Sequence, residues 1–286
     1  MESSLVYSQS QWDIVLASFV LAGFALFATF VYLLTTRREL SPRYRPAGSA
    51  GALIGLIASA AYVVLALSWL TGFDFDRSTA TFHPSDSVLQ FRNAYRYVDW
   101  AITVPLLSFE LVFVSTLTGA RARRTRVVLG ALAFLMIVTG FLGADTFDST
   151  TGRLVWGLVS TVFFVPLYVT LLRTAFRSAR ELGEPAGPSL RRAGLMLSWT
   201  WGVYPLAYCI PFFFAGSPGW AVAAQLAFTL TDIAAKVGYG FFIHAVAKAR
   251  TALDVSAGET VHPEDIYVDQ VKVADARGLV VQTDQA

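Results

Sequence analysis

The chain has 286 residues, 55% of them hydrophobic and 15% charged, and its mean hydropathy is +0.54. A charged fraction this far below that of soluble domains excludes a soluble globular protein, a disordered chain and a collagen-like repeat. The single cysteine, Cys209, excludes an internal disulfide and a cysteine metal cluster, and a net charge of +2 spread over short loops gives no surface for nucleic acid.

An apolar helix needs about 20 residues to cross a bilayer. Seven stretches qualify, at 11–36, 50–72, 94–119, 127–144, 153–176, 193–215 and 219–247, the fourth being the shortest. They predict an all-α membrane protein, a seven-transmembrane helix bundle occupying residues 1–250. The first stretch lacks a small-residue cleavage site and reads as a retained span. Loop charge alternates along the chain. Arg37, Arg38, Arg43 and Arg45 follow the first span, Arg121, Arg123, Arg124 and Arg126 the third, and Arg173, Arg177, Arg180, Arg191 and Arg192 the fifth. The intervening loops hold Asp74, Asp76, Asp86, Asp145 and Asp148. By the positive-inside rule the N-terminus faces outside and the C-terminus the cytoplasm. Residues 251–286 are polar and acidic and read as a flexible cytoplasmic tail. No repeat of 20–50 residues is present. The implied surroundings are the lipid bilayer of a prokaryotic plasma membrane.

Ionisable residues at membrane depth are costly and point to function. Arg96, Asp99, Glu110, Asp232 and Lys236 lie well inside apolar spans, whereas Asp13 and His244 lie nearer span ends and read as interfacial polar residues. Lysine occurs only at 236, 248 and 272 among 22 basic residues, so the one lysine deep in a span stands out. An amine can lose its proton and form a Schiff base; a guanidinium stays protonated. Asp232 is one helical turn before Lys236, and Asp99 is one turn before Thr103. Glu110 is three turns beyond Asp99, about 16 Å along the axis, on the same face. Two carboxylates and an arginine on one side of a switchable cation, with an isolated carboxyl on the other, can pass a proton across a membrane. The same spacing also fits a structural Lys236–Asp232 pair in a transporter or scaffold without a chromophore. Trp100, Trp201, Tyr204, Tyr208 and Phe164 either wall a slot for a long apolar ligand or simply pack, and Pro105 and Pro205 bend their helices.

The run Asp232-Ile-Ala-Ala-Lys236-Val-Gly-Tyr-Gly resembles the retinal-attachment helix of microbial rhodopsins. Arg96-Tyr97-Val98-Asp99-Trp100, continuing through Thr103, Pro105 and Glu110, resembles their counterion helix, and Trp201-Gly-Val-Tyr204-Pro205 the helix lining the retinal ring. The resemblance implies all-trans retinal on Lys236 as a protonated Schiff base. It makes Asp99 the proton acceptor and counterion, Asp232 a second counterion, Glu110 the proton donor and Arg96 the release gate. The trio Asp99, Thr103, Glu110 is that of outward proton pumps of the proteorhodopsin and xanthorhodopsin type, so a light-driven ion transporter is implied and not an enzyme. A sensory photoreceptor on the same scaffold, or a related light-driven ion pump, is the alternative. Alignment puts Val63 where many such members carry a histidine bonded to the acceptor, and assigns no proton-release group. It also puts Gly157 where many members place a tryptophan. In xanthorhodopsin-like members this opens a window for a carotenoid antenna. The family analogy further implies a homo-oligomer, a trimer or pentamer.

Overall fold

Local signals start and stop the helices. Ser8 accepts the Gln11 amide while the Gln11 side chain returns to the Ser8 N–H, a capping box that opens α1 (Gln9–Thr35). Pro46 stands in the first turn of α2 (Arg45–Thr71), where its missing N–H leaves no bond unmade. α3 (Ala94–Val114) and α4 (Gly119–Phe141) follow, the latter running into a π-helical turn at Leu142–Thr146. Ser149 caps α5 (Thr150–Leu182), and Gly183, with φ 59°, turns the chain into α6 (Ala186–Phe214). α7 (Pro218–Ile233) and α8 (Tyr239–Ser256) are joined by a π-helical turn, Ala234–Gly238, into one rod. The computed structural model describes residues 5–86, 91–147, 149–259, 266–268 and 271–274.

These rods form the expected seven-helix bundle. Each packs on its neighbours in the chain, and the seventh rod packs back on α1, closing a ring. Six of the rods are long and apolar enough to cross a membrane. α6 is less apolar because Trp199, Trp201, Tyr204, Pro205, Tyr208 and Pro211 interrupt its aliphatic surface. Side chains such as Phe24, Val162, Leu206 and Phe213 are exposed on the outside, as lipid contact requires, while polar side chains turn inward. At Gly55 the first two helices approach so closely that a β-carbon would stand 2.9 Å from the Leu26 carbonyl oxygen, which only glycine permits.

Several boundaries differ from those read by hydropathy. α5 and α6 continue beyond their apolar stretches, leaving only 183–185 between them, because an i,i+4 pair such as Arg177–Glu181 keeps a helix intact in water. The fourth span is not the shortest: α4 begins at Gly119, with its arginines on the first turns. α8 runs on to Ser256, past the expected start of the tail. Ile266–Val268 and Val271–Ala274 pair as antiparallel strands, and the other residues of the expected flexible tail beyond Glu259 lie outside the described residues.

One element escaped an all-helical reading. Strands β1 (Tyr7–Ser8), β2 (Phe73–Asp76) and β3 (Thr81–Pro84) form a small antiparallel sheet, ordered β1-β3-β2, with Phe75 opposite Phe82. The connecting turn is tied by Asp76, which accepts bonds from the Ser78 amide, the Ser78 hydroxyl and the Thr79 hydroxyl. Those donors hold its carboxyl below the usual aspartate range. Phe82 stacks on Trp12 at 4.2 Å, so the hairpin covers the N-terminal end of the bundle.

Candidate functional site

The buried charges meet where the seventh rod changes from α to π geometry, a local winding common at functional sites. Lys236 lies in that turn, 3% exposed, and its Nζ donates to Asp99 Oδ2 at 2.5 Å. Asp232 Oδ2 stands 3.4 Å from the same nitrogen. Arg96, 1% exposed, approaches Asp232 at 3.8 Å, so two cations and two carboxylates balance inside the bundle. Thr103 donates its hydroxyl to the Asp99 main-chain carbonyl at 2.9 Å, two residues before Pro105.

The two carboxylates are held differently. Asp232 accepts from Tyr62 Oη (2.9 Å), Trp100 Nε1 (3.0 Å) and Tyr204 Oη (2.6 Å), in addition to its cations. To gain a proton it must disrupt that set of donors. Asp99 has one oxygen on Lys236, and its Oδ1 has no hydrogen-bond partner among the described residues. It is the carboxylate with room for a proton.

Arg96 is fixed from three sides. It donates to Tyr62 Oη (2.8 Å), Gln225 Oε1 (3.0 Å) and Thr229 Oγ1 (3.1 Å), and its guanidinium lies 5.2 Å from the ring centres of both Phe19 and Tyr62. Its carboxylate neighbour is Asp232, although Asp99 is the one a single turn away in sequence. Glu110 is apart from this cluster. It is 1% exposed, beside Gly51 and Leu33, and its Oε2 has no partner among the described residues. Tyr239 donates to the Leu107 carbonyl at 3.0 Å one turn before Glu110.

The expected aromatic residues surround a single cavity that reaches Lys236. Trp100, Trp201, Tyr204, Pro205, Tyr208, Phe164 and Gly157 all line it, with about 870 Å³ of unfilled space, its mouth included. That is within the range of small-molecule sites. Trp100 and Tyr204 do double duty, since their rings wall the cavity and their polar ends hold Asp232. At Gly157 a β-carbon would stand 2.9 Å from Tyr208 Cε1, so the tyrosine ring lies against the glycine, anchored by its hydroxyl on the Arg153 carbonyl at 2.8 Å.

Val63 does not face Asp99: it is 53% exposed on the outer surface. The helical register instead turns its neighbour Tyr62 inward to Asp232. Tyr62, Gln225 and Thr229 were not singled out by sequence. Gln225 and Thr229 precede Asp232 by seven and three residues, a polar stripe on one helix face, and Tyr62 is the one tyrosine of α2. Asp13 is exposed at the start of α1, while His244 is buried with neither ring nitrogen partnered among the described residues.

The model of the bacteriorhodopsin-like protein family matches residues 14–250. Archaerhodopsin-2 of Halobacterium sp. (strain aus-2) is 33% identical over 226 residues, covering 78% of each chain. The crystal structure of xanthorhodopsin, described as a light-driven ion pump with dual chromophore, superposes with a TM-score of 0.79 at 33% identity, covering 87% of this chain and 98% of that one. That of thermophilic rhodopsin does so with a TM-score of 0.79 at 29% identity and the same coverage. With its apolar helices, the protein is a multi-pass protein of the cell membrane. Seven rods around a buried lysine with two carboxylates, and a family match spanning nearly all of them, make this chain a member of the bacteriorhodopsin-like family of microbial rhodopsins.

Proposed function

We propose that the protein is a light-driven outward proton pump, with all-trans retinal held on Lys236 as a protonated Schiff base. The observation that carries the reading is the unequal pair of carboxylates: Asp232 is bound by three fixed donors, whereas Asp99 accepts from Lys236 Nζ on Oδ2 at 2.5 Å and its Oδ1 has no partner among the described residues. The cavity fits the group, being lined by aromatic and aliphatic side chains and reaching a primary amine at Lys236. When bound, retinal supplies absorption of visible light and a change of shape next to Nζ.

The chain's own residues do the rest. Trp100, Trp201, Tyr204 and Pro205 confine the ligand. Asp99 takes the proton from Lys236 Nζ, while Asp232 stays an anion and keeps the nitrogen's surroundings polar. Arg96, tied to Asp232 through Tyr62, lies on the N-terminal side and favours departure in that direction. Glu110 returns a proton to Nζ from the opposite side: it is a buried carboxyl with no ion-pair partner among the described residues, placed to donate. The arginine-rich loops support a cytoplasmic location for that side, which makes net transfer outward in this reading. Glu110→Gln is expected to leave the colour nearly unchanged and to slow reprotonation of Nζ by about 100-fold. Unaltered recovery in flash spectroscopy contradicts the donor role.

Adding all-trans retinal to the expressed protein tests the reading. A visible band and a photocycle completed in milliseconds are expected; a cycle of seconds fits a sensor instead, and no band fits a scaffold without chromophore. A carotenoid antenna at Gly157 is the accessory part of the same proposal. Its support is that this glycine lines the cavity and carries no side chain outside Tyr208. A hydroxylated carotenoid is expected to add its own peaks to the excitation spectrum of retinal emission. Gly157→Trp, which requires Tyr208 to move, is expected to remove them and keep the retinal band. Equal transfer in that variant contradicts the antenna.

A further inference from the structure

On the N-terminal side of Arg96 the bundle holds a second, polar cavity of about 1480 Å³, its mouth included. Space of that size with polar walls accommodates water. Arg96 lines its inner part; Arg92 and Asp145 also line it, and Arg92 is 60% exposed by side chain. Among the described residues lining this cavity Asp145 is the sole carboxyl. Its side chain is 18% exposed and accepts from Arg92 Nη2 at 3.0 Å.

The local fold aims Asp145 into this space. The π-helical turn Leu142–Thr146 ends α4, and Arg153 of α5 binds the adjacent Ala144 carbonyl at 3.2 Å. Arg153 lies 5.4 Å from the centre of the Tyr208 ring, and among the described residues lining this cavity the other charged and titratable groups are Arg92, Arg96, Arg153, Tyr97 and Tyr208. A proton entering from Arg96 therefore meets one carboxyl among the described residues that line the way to the outer medium.

We infer that Asp145 is the outer relay of the exit path: its carboxylate binds the proton leaving the Arg96 region and gives it up to the medium. This rests on the outward-pump reading. The carboxylate gains one proton and loses one, so nothing else is consumed.

The test uses the full chain with all-trans retinal in nanodiscs, in unbuffered salt with a pH-indicating dye. After a flash, the dye reports protons in the medium and the visible absorbance reports deprotonation at Lys236. Asp145→Asn is expected to delay the dye signal by at least about tenfold, with the absorbance maximum and the deprotonation rate unchanged. Asp145→Glu restores prompt release. Arg92→Gln breaks the same ion pair but keeps the carboxylate, and release stays prompt. Prompt release in Asp145→Asn overturns the relay, as does an equal delay in Arg92→Gln, which would make the pair architectural. A wild-type protein that cycles without any dye signal overturns the pump reading and not the relay alone.

Discussion

Lys236→Arg is expected to give a folded protein with no visible retinal band. The substitution keeps a cation between Asp99 and Asp232, so the charge balance of the bundle interior is retained. What it removes is the primary amine, and a guanidinium does not form a Schiff base. Lys236→Ala loses the band as well but leaves two buried carboxylates facing each other without their shared cation, a change expected to cost several kcal/mol, roughly 3–5 for breaking a buried pair. Comparing the two separates chemistry from charge balance. Absorbance after retinal addition, with helix content and thermal unfolding as controls for folding, is the measurement. A normal pigment in Lys236→Arg contradicts the anchor.

Asp99→Asn is expected to shift the pigment to the red and stop transport. Removing the negative charge nearest the nitrogen lowers the energy of the excited state relative to the ground state. Removing the base leaves Lys236 Nζ without an acceptor, and Asp232 does not replace it, because Tyr62, Trp100 and Tyr204 occupy its oxygens. Loss of a positioned base is expected to lower the rate by at least about 100-fold. Asp232→Asn should differ in kind, loosening Tyr62, Trp100 and Tyr204 together with Arg96. Its expected signature is poorer pigment formation and stability, with deprotonation at Nζ retained. Full pumping by Asp99→Asn contradicts the assignment of acceptor.

The site was legible in sequence where one residue type at one depth is decisive. Lys236, Asp99, Glu110, Asp232 and Arg96 are conspicuous because bilayer interiors exclude charge, and helical spacing places Asp232 beside Lys236 without any tertiary information. Which carboxylate is tied down was not legible. That depends on Tyr62 arriving from α2, Trp100 from α3 and Tyr204 from α6, a convergence set by helix rotation. Helix rotation also decides Val63: one position on a helix turns a side chain by about 100°, so Val63 faces outward while its neighbour Tyr62 reaches Asp232. Span ends were misread where helices outlast their apolar stretches, as at Arg177–Glu181, since hydropathy reports bilayer thickness and the hydrogen-bond ladder continues beyond it. The β2–β3 hairpin rests on a four-residue turn held by Asp76 and on Phe82 stacking with Trp12, contacts distant in the chain.

The direction of proton movement is the central claim, and one measurement addresses it. Cells expressing the protein with retinal, suspended in unbuffered salt, are illuminated while the external pH is recorded. Outward pumping predicts that the medium acidifies in light, recovers in the dark, and that a protonophore abolishes the change. Light-driven alkalinisation, or a response that a protonophore enhances, would contradict it.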